Sequence, residues 1–360
     1  DLLLDKNTLK IDKPSLEDQR DYLQRIYDIT NTDDINLNSI SKLNNINKAE
    51  EITVTSTENK IIDIEKGNTK DKFFGIAIDI GTTTIVIYLI DLYNKTTIDN
   101  VSIYNPQQKY GADVISRINY SIDEEKGTQK LKEELISGLN KGINELVENN
   151  NMKNKDIFIG TIAGNTVMMH TLLGMETESI SKSPYIPLFT DNLDLNPEES
   201  GIKINKNGII QLLPSISGYI GADIVGDMLA VNLNNERNTT DLIIDIGTNG
   251  ELVLSTQKEI FTCSTAAGPA FEGANITFGM AGIPGAISKF KFDNTGNISY
   301  QTIKNKKARG ICGSGLLDIV AQLFQHNLID KNGTLIDKEE MDEKFQNYLT
   351  TYNDLKAFKI

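Results

Sequence analysis

Phe74-Gly75-Ile76-Ala77-Ile78-Asp79-Ile80-Gly81-Thr82-Thr83-Thr84 returns later as Leu242-Ile243-Ile244-Asp245-Ile246-Gly247-Thr248-Asn249-Gly250, and this recurrence decides the architecture of the 360-residue chain. Each copy is an apolar run of strand length closed by Asp-Ile-Gly-Thr. Further strand patterns follow each copy in the same order. After the first they fall at 85–90 and 97–104, around a turn at 91–95; after the second, at 251–255 and 260–264, around a turn at 257–258. One long-range repetition marks a duplicated fold rather than a solenoid array. Asp79, Gly81 and Thr82 thereby correspond to Asp245, Gly247 and Thr248.

The tip of each hairpin has a chemical use. Glycine permits a tight turn and lets backbone N–H groups approach an anion closely. Thr82, Thr83 and Thr84 add hydroxyl donors for phosphate oxygens. Asp79 and Asp245 can hold a hydrated Mg2+, an ion that takes a few carboxylates together with substrate phosphate and retained water. A single Asp-x-Gly-Thr is an ordinary turn motif. Two on matching hairpins predict a polyphosphate clamped from both sides.

Working outward, the spacing predicts helices over 112–120 and 129–148, a strand at 157–162, a helix at 166–173, a long loop holding Pro184, Pro187 and Pro197, a strand at 209–213 and a helix at 222–232. A polar break at 234–240 separates the halves. Residues 1–70 read as a small α+β unit. Ser15 and Asp18 resemble a capping pair ahead of Leu16, Leu23, Ile26 and Tyr27, a weaker helix runs through Leu37, Ile40 and Leu43, and a hairpin turns at 58–60. The domains expected are thus 1–70, 71–237 and 238–360.

Fifty acidic against 36 basic side chains give a net charge of −14. That balance argues against nucleic acid or an anionic membrane surface as partner. No apolar run approaches the roughly 20 residues of a membrane span. Cys263 and Cys312 are too few for a disulfide scaffold and fit a reducing, cytoplasmic compartment. They also cannot supply four thiolates to an iron–sulfur cluster, and with only two histidines besides, a zinc site is not expected.

Longer strings carry a family resemblance. Arg309-Gly310-Ile311-Cys312-Gly313-Ser314-Gly315-Leu316-Leu317-Asp318 resembles the Gly-rich adenosine loop of the actin, sugar-kinase and heat-shock-chaperone ATPases, whose phosphate loops the two tips also resemble. No Walker motif is present. Within that superfamily, four strings are similar to those of the reductive activators of corrinoid proteins: Asn105-Pro106-Gln107 with Tyr110-Gly111-Ala112-Asp113-Val114-Ile115-Ser116-Arg117-Ile118; Gly164-Asn165-Thr166-Val167-Met168-Met169-His170; 245–251; and Cys263-Ser264-Thr265-Ala266-Ala267-Gly268-Pro269-Ala270-Phe271-Glu272-Gly273. The resemblance covers nearly the whole chain, with residues 1–70 similar to the family's small middle domain and Lys72 onward to its ATPase domain.

The resemblance implies a two-lobed, actin-like α/β ATPase with ribonuclease H-like duplicated lobes, preceded by the small α+β domain. It implies Mg2+ and ATP as cofactors and a corrinoid protein as partner, returned from Co(II) to Co(I) by an electron from an iron–sulfur module. Nucleotide contacts would come from Gly81, Thr82, Thr83, Thr84, Gly247, Thr248, Asn249, Gly250, Gly268, Gly313, Ser314 and Gly315, and metal contacts from Asp79 and Asp245. The cluster-bearing module is absent from this sequence. The chain opens at Asp1 rather than methionine, and Ile360 falls where the family continues into further strands and a closing helix. A piece of a longer protein is therefore expected. Two copies could pair as a homodimer. The rival readings are a sugar or carboxylate kinase of the same superfamily and a nucleotide-gated scaffold without useful hydrolysis.

Smaller features have two readings each. Asp223 could orient the attacking water, or could stabilise the N-terminus of its helix. Glu251 is a second candidate for water or metal contact. Asp113 and Arg117 are spaced for an i,i+4 ion pair. His170 reads as a packing histidine rather than a cobalt ligand, and both cysteines as small apolar packers.

Overall fold

A computed structural model describes residues 4–46, 49–233, 239–247, 249–266 and 276–360. The chain divides into two compact units, Asp1–Asn232 and Leu233–Ile360.

The first unit opens with β1 (Asp5–Lys10), α1 (Tyr22–Thr30), β2 (Asp34–Ile35), the single turns α2 (Leu37–Ile40) and α3 (Leu43–Ile46), and the hairpin β3 (Glu51–Ser56) and β4 (Lys60–Lys66). They form a sheet ordered β1-β3-β4-β2 with a core of Ile26, Ile35, Ile52, Val54, Ile61 and Ile64. Two expectations change here. Ser15 does not cap a helix: its hydroxyl accepts the N–H groups of Glu17 and Asp18 in an isolated turn, leaving Leu16 87% exposed. The helix starts at Tyr22, capped by Asp21, whose carboxylate accepts the Gln24 N–H at 2.8 Å. The weaker helix predicted after it is two separate turns.

Next come β5 (Phe74–Ile80), β6 (Thr84–Asp91), β7 (Thr96–Tyr104), α4 (Val114–Asp123), α5 (Gly127–Asn149), β8 (Ile157–Gly164), α6 (Thr166–Leu173), α7 (Glu178–Ser181), β9 (Leu193–Leu195), α8 (Pro197–Ser200), β10 (Ile209–Leu212) and α9 (Ala222–Ala230). The sheet order is β7-β6-β5-β8-β10-β9, antiparallel from β7 to β5 and parallel from β5 through β8 to β10. Alternation along β6 sends Ile85, Ile87 and Leu89 into the core, where α5 lays down Leu135, Leu139, Ile143 and Leu146 at helical spacing. Because β5 and β8 run parallel, their carboxyl ends lie side by side, and the turns that follow them share one edge of the sheet. Ligands of open α/β sheets collect at such an edge.

The second unit holds β11 (Asp241–Ile246), β12 (Asn249–Ser255) and β13 (Ile260–Ala266) as an antiparallel sheet that repeats the β5–β6–β7 connectivity. After it come β14 (Ala286–Phe292), β15 (Ile298–Thr302), β16 (Gly310–Ile311), α10 (Gly313–Gln325), β17 (Leu349–Tyr352) and β18 (Leu355–Phe358). Sheet β15-β14-β16 packs on α10 through Phe290, Phe292, Ile319 and Leu323. Cys312 is buried, but Cys263 on β13 is exposed, because its position in the strand's alternation faces solvent. Among the described residues, no helix is long and apolar enough to cross a membrane.

Candidate functional site: two Asp-Gly hairpin tips

At the first tip, Asp79 is the exposed residue before the last of β5, paired with Val86 on one side and Ala163 on the other. Gly81 is obligatory in this turn, since a Cβ would lie 2.5 Å from the Thr84 carbonyl oxygen. The turn is fastened from behind. Asn105 donates Nδ2–H to the Gly81 carbonyl at 2.9 Å and its backbone N–H to the Thr83 carbonyl at 2.9 Å. Arg117 donates through Nη2 to the Thr82 carbonyl, and Asn165 donates Nδ2–H to the Thr82 hydroxyl at 3.1 Å. Among the described residues, nothing accepts the Thr82 and Thr83 N–H groups. Carbonyls held inward with amides unclaimed are a backbone arrangement of the kind that can receive an anion.

Arg117 and Asp113 do not form the predicted ion pair. Asp113 caps α4, accepting the Ser116 N–H at 2.8 Å in a capping box. Arg117 is fully buried and also donates to the Gly111 carbonyl at 2.9 Å and to Gln107 Oε1 at 3.3 Å. Helix initiation claimed the carboxylate, and the tip's carbonyl claimed the guanidinium.

Asp223 joins the same edge. A Cβ on Gly221 would meet Asn165 Cα at 2.5 Å, Asp223 Oδ1 at 2.7 Å and the Gly164 oxygen at 2.8 Å, so the start of α9 lies against the end of β8 with no room for a side chain. Asp223 lies in the first turn of α9, where its Oδ1 accepts the Ile224 N–H at 2.9 Å. His170 stands behind this edge as a packing residue. Its Nδ1 is 2.8 Å from the Thr166 carbonyl, its Nε2 accepts the Leu188 N–H at 3.0 Å, and its ring stacks on Phe189.

At the second tip Asp245 lies directly opposite Glu251 in the ladder, and the Gly247 N–H closes the turn on the Asn249 carbonyl at 2.9 Å. Glu251 Oε1 accepts the Ser264 hydroxyl at 3.1 Å. Burial pushes the Asp245 carboxyl above its ordinary range, against the opposing effect of the Ile246 N–H. Gly250 is buried and Asn249 exposed. Thr248 and Gly268 lie outside the described residues. In the glycine-rich string 309–318, Gly315 has a packing duty: a Cβ there would sit 2.1 Å from the Ile287 carbonyl oxygen, so α10 can start on β14 only with glycine. Ser314 is exposed and Gly313 half-buried at the start of the same helix.

The RACo middle-region family model matches residues 74–236, and the model of the RACo C-terminal ASKHA domain matches 239–356. This chain belongs to the RACo family. The middle-region match falls on β5 to α9, which includes the first tip. The corrinoid activation enzyme RamQ of Eubacterium limosum is 34% identical over 81% of the chain and 49% of its own length. A Methanosarcina barkeri reductase of a methylated-amine-specific corrinoid protein is 26% identical over 73% of the chain and 54% of its own. The solved reductive activator for a corrinoid, iron–sulfur protein aligns with a TM-score of 0.84 at 33% identity, over 99% of this chain and 58% of that one. The chain thus spans about half the length of the curated relatives it matches. Its actin-like α/β fold, with the small domain in front, is the RACo one. Reading by residue type passed over Asn105 and Arg117 as site residues. Their signal was present in the one family string that holds both, but nothing local ties it to the tip.

Proposed function

We propose that this chain is the nucleotide-binding part of a RACo activator, which uses ATP to make reduction of a partner corrinoid protein from Co(II) to Co(I) possible. The observation that carries the reading is the first tip, with its carbonyls fastened inward, two amides unclaimed and a carboxylate beside them. Mg2+ fits this donor set, since it retains waters and takes few protein carboxylates. Among the described residues no group of three His, Cys, Asp or Glu side chains could build a dedicated metal cage. When bound, Mg2+ would screen phosphate charge. The chain's own residues bind and orient: Thr82, Thr83 and Thr84 hold phosphate oxygens, Asp79 and Asp245 hold the ion's waters, and Asn249, Gly250, Gly313 and Ser314 supply further nucleotide contacts. Asp223 or Glu251 orients water for in-line attack, with positioning and electrostatics supplying most of the rate.

An iron–sulfur cluster does not fit this chain, whose two cysteines, one exposed and one buried, fall short of four ligands. No electron-transfer step is assigned to these residues. Nucleotide binding would bias the partner complex only through different affinities for its two states. The test mixes the complete gene product anaerobically with a Co(II) corrinoid protein and an electron donor, and follows the cobalamin spectrum. Co(I) appearing only with Mg·ATP is expected. An occupied nucleotide site without any effect on cobalt would remove the activator reading and favour an acceptor kinase.

A further inference from the structure

The proposed phosphate site has a fixed scaffold behind it, made of side chains from three separate stretches. The Gly81 carbonyl belongs to the peptide whose N–H is that of Thr82, and the Thr82 carbonyl to the peptide whose N–H is that of Thr83. A trans peptide points its C=O and N–H in opposite directions. Holding those two oxygens inward through Asn105 and Arg117 therefore aims the two unclaimed amides outward. A charged donor on the carbonyl also polarises the peptide, strengthening the N–H on its other end.

Both asparagines are oriented by a second bond. Asn105 Oδ1 accepts the Gln107 N–H at 3.0 Å, and Asn165 Oδ1 accepts the Met168 N–H at 3.0 Å at the start of α6. Asn105 thereby caps the short 3-10 helix Pro106–Tyr110 and Asn165 caps α6, so each amide has only its NH2 left for the tip. The guanidinium needs no titration to stay charged, and Gln107, which accepts from it, donates onward to the Leu131 carbonyl of α5 at 3.0 Å. Met168 Sδ lies 3.5 Å from Arg117 Nη1 and 3.6 Å from Asn105 Nδ2, closing the scaffold on α6.

We propose that Asn105, Arg117 and Asn165 are positioning residues that hold the Gly81–Thr84 turn with its amides aimed at the nucleotide's phosphates. The inference rests on the reading of that turn as a phosphate site. It gives the Asn-Pro-Gln, Asp-Val-Ile-Ser-Arg and Gly-Asn-Thr strings one common purpose.

The experiment uses the complete gene product and measures affinity for Mg·ATP and for adenosine, which carries no phosphate. Asn165→Ser keeps an uncharged oxygen able to cap α6 and loses the donor to Thr82. It should weaken Mg·ATP about tenfold or more, the factor that roughly 1.4 kcal/mol represents, with adenosine affinity unchanged. Arg117→Gln should do the same, and Arg117→Lys should recover part of the loss, because an ammonium keeps the charge without the planar fork. If the buried Arg117 variants fail to fold, Asn165→Ser and Asn105→Ser decide alone. Folded Asn165→Ser with wild-type Mg·ATP affinity overturns the inference, as does an equal loss for adenosine, which would mean general damage to the lobe. Asp79→Ala separates the two levels. If it abolishes Mg·ATP binding while Asn165→Ser does not, only the positioning role falls; if Mg·ATP affinity survives Asp79→Ala, the phosphate-site reading falls too.

Discussion

Two titratable side chains illustrate how residue chemistry is set by burial, with opposite signs. His170 is fully buried, hydrogen-bonded on both ring nitrogens, and burial lowers its pKa. With Nδ1 against a carbonyl and Nε2 accepting an N–H, the imidazole has to be neutral; a proton on Nε2 would face the Leu188 donor. A base whose folded pKa lies below its unfolded value of about 6.5 gives stability that is complete above that pH and is lost as pH falls. Thermal midpoints should therefore decline below about pH 6.5, and His170→Gln should flatten that decline. An unchanged slope in the variant would remove His170 as its source. Asp245 runs the other way: its raised pKa means the ionised form destabilises the folded unit from about pH 4 upward. Asp245→Asn should raise the thermal midpoint at pH 7 while abolishing Mg·ATP binding. A lowered midpoint would show that the carboxylate is structurally satisfied. The aspartates stood out in the sequence because each is the next-to-last residue of a strand that is followed by glycine. The duty of Arg117 was not, since an i,i+4 spacing looks the same whether or not its aspartate is engaged as a cap.

Secondary structure followed the sequence wherever apolar side chains alternate or recur against a sheet. Helix α6 occupies the predicted 166–173, and the strands of both tips fall within a few residues of their expected bounds. Strand β1 left no such signal because the fully buried member of Asp5–Lys10 is Lys6, a charged residue whose ion pair with Glu65 at 2.5 Å lets it go inside. Hydropathy cannot reveal a strand whose buried face is ionic. Glycines mislead in a different way. Gly315 stands in a loop-like string, yet the backbone shows it to be the contact point of α10 with β14. Gly315→Ala must push the helix start off Ile287, at a cost of about 1–3 kcal/mol by analogy with overpacking. A lower thermal midpoint together with weaker Mg·ATP binding is expected, because Gly313 and Ser314 ride on the same turn. An alanine variant with a wild-type midpoint would show that the helix can yield there.

At the scale of the whole chain, the leading module and the six-stranded sheet share one buried polar cluster within the first unit. Asp63 on β4 is 1% exposed; its Oδ1 accepts Lys42 Nζ, the Ile64 N–H at 2.8 Å and Asn207 Nδ2 at 3.3 Å, and its Oδ2 accepts Asn205 Nδ2 at 3.3 Å. Asn207 also donates to Ser39 Oγ at 3.1 Å. Lys6 reaches across separately, donating to the Lys72 carbonyl at 2.7 Å with its ammonium 4.4 Å from the Phe158 ring centroid. Two of the partners of Asp63, Asn205 and Asn207, come from a loop far along the chain, so no local pattern could announce that the small module is fastened to the six-stranded sheet rather than tethered beside it. Removing one member of a buried charged cluster strands the others, a loss on the order of 3–5 kcal/mol. Asp63→Ala should therefore lower the stability of module and sheet together. Hydrogen exchange tests this directly: in the wild type, amides of β3 and β4 should open with the same free energy as those of β8 and β10, and the substitution should lower both sets alike. Opening of β3 and β4 ahead of β8 and β10 in the unaltered protein would mean two bodies instead of one. If they open as one, the module and the sheet are a single co-operative body, held together by the Asp63 cluster.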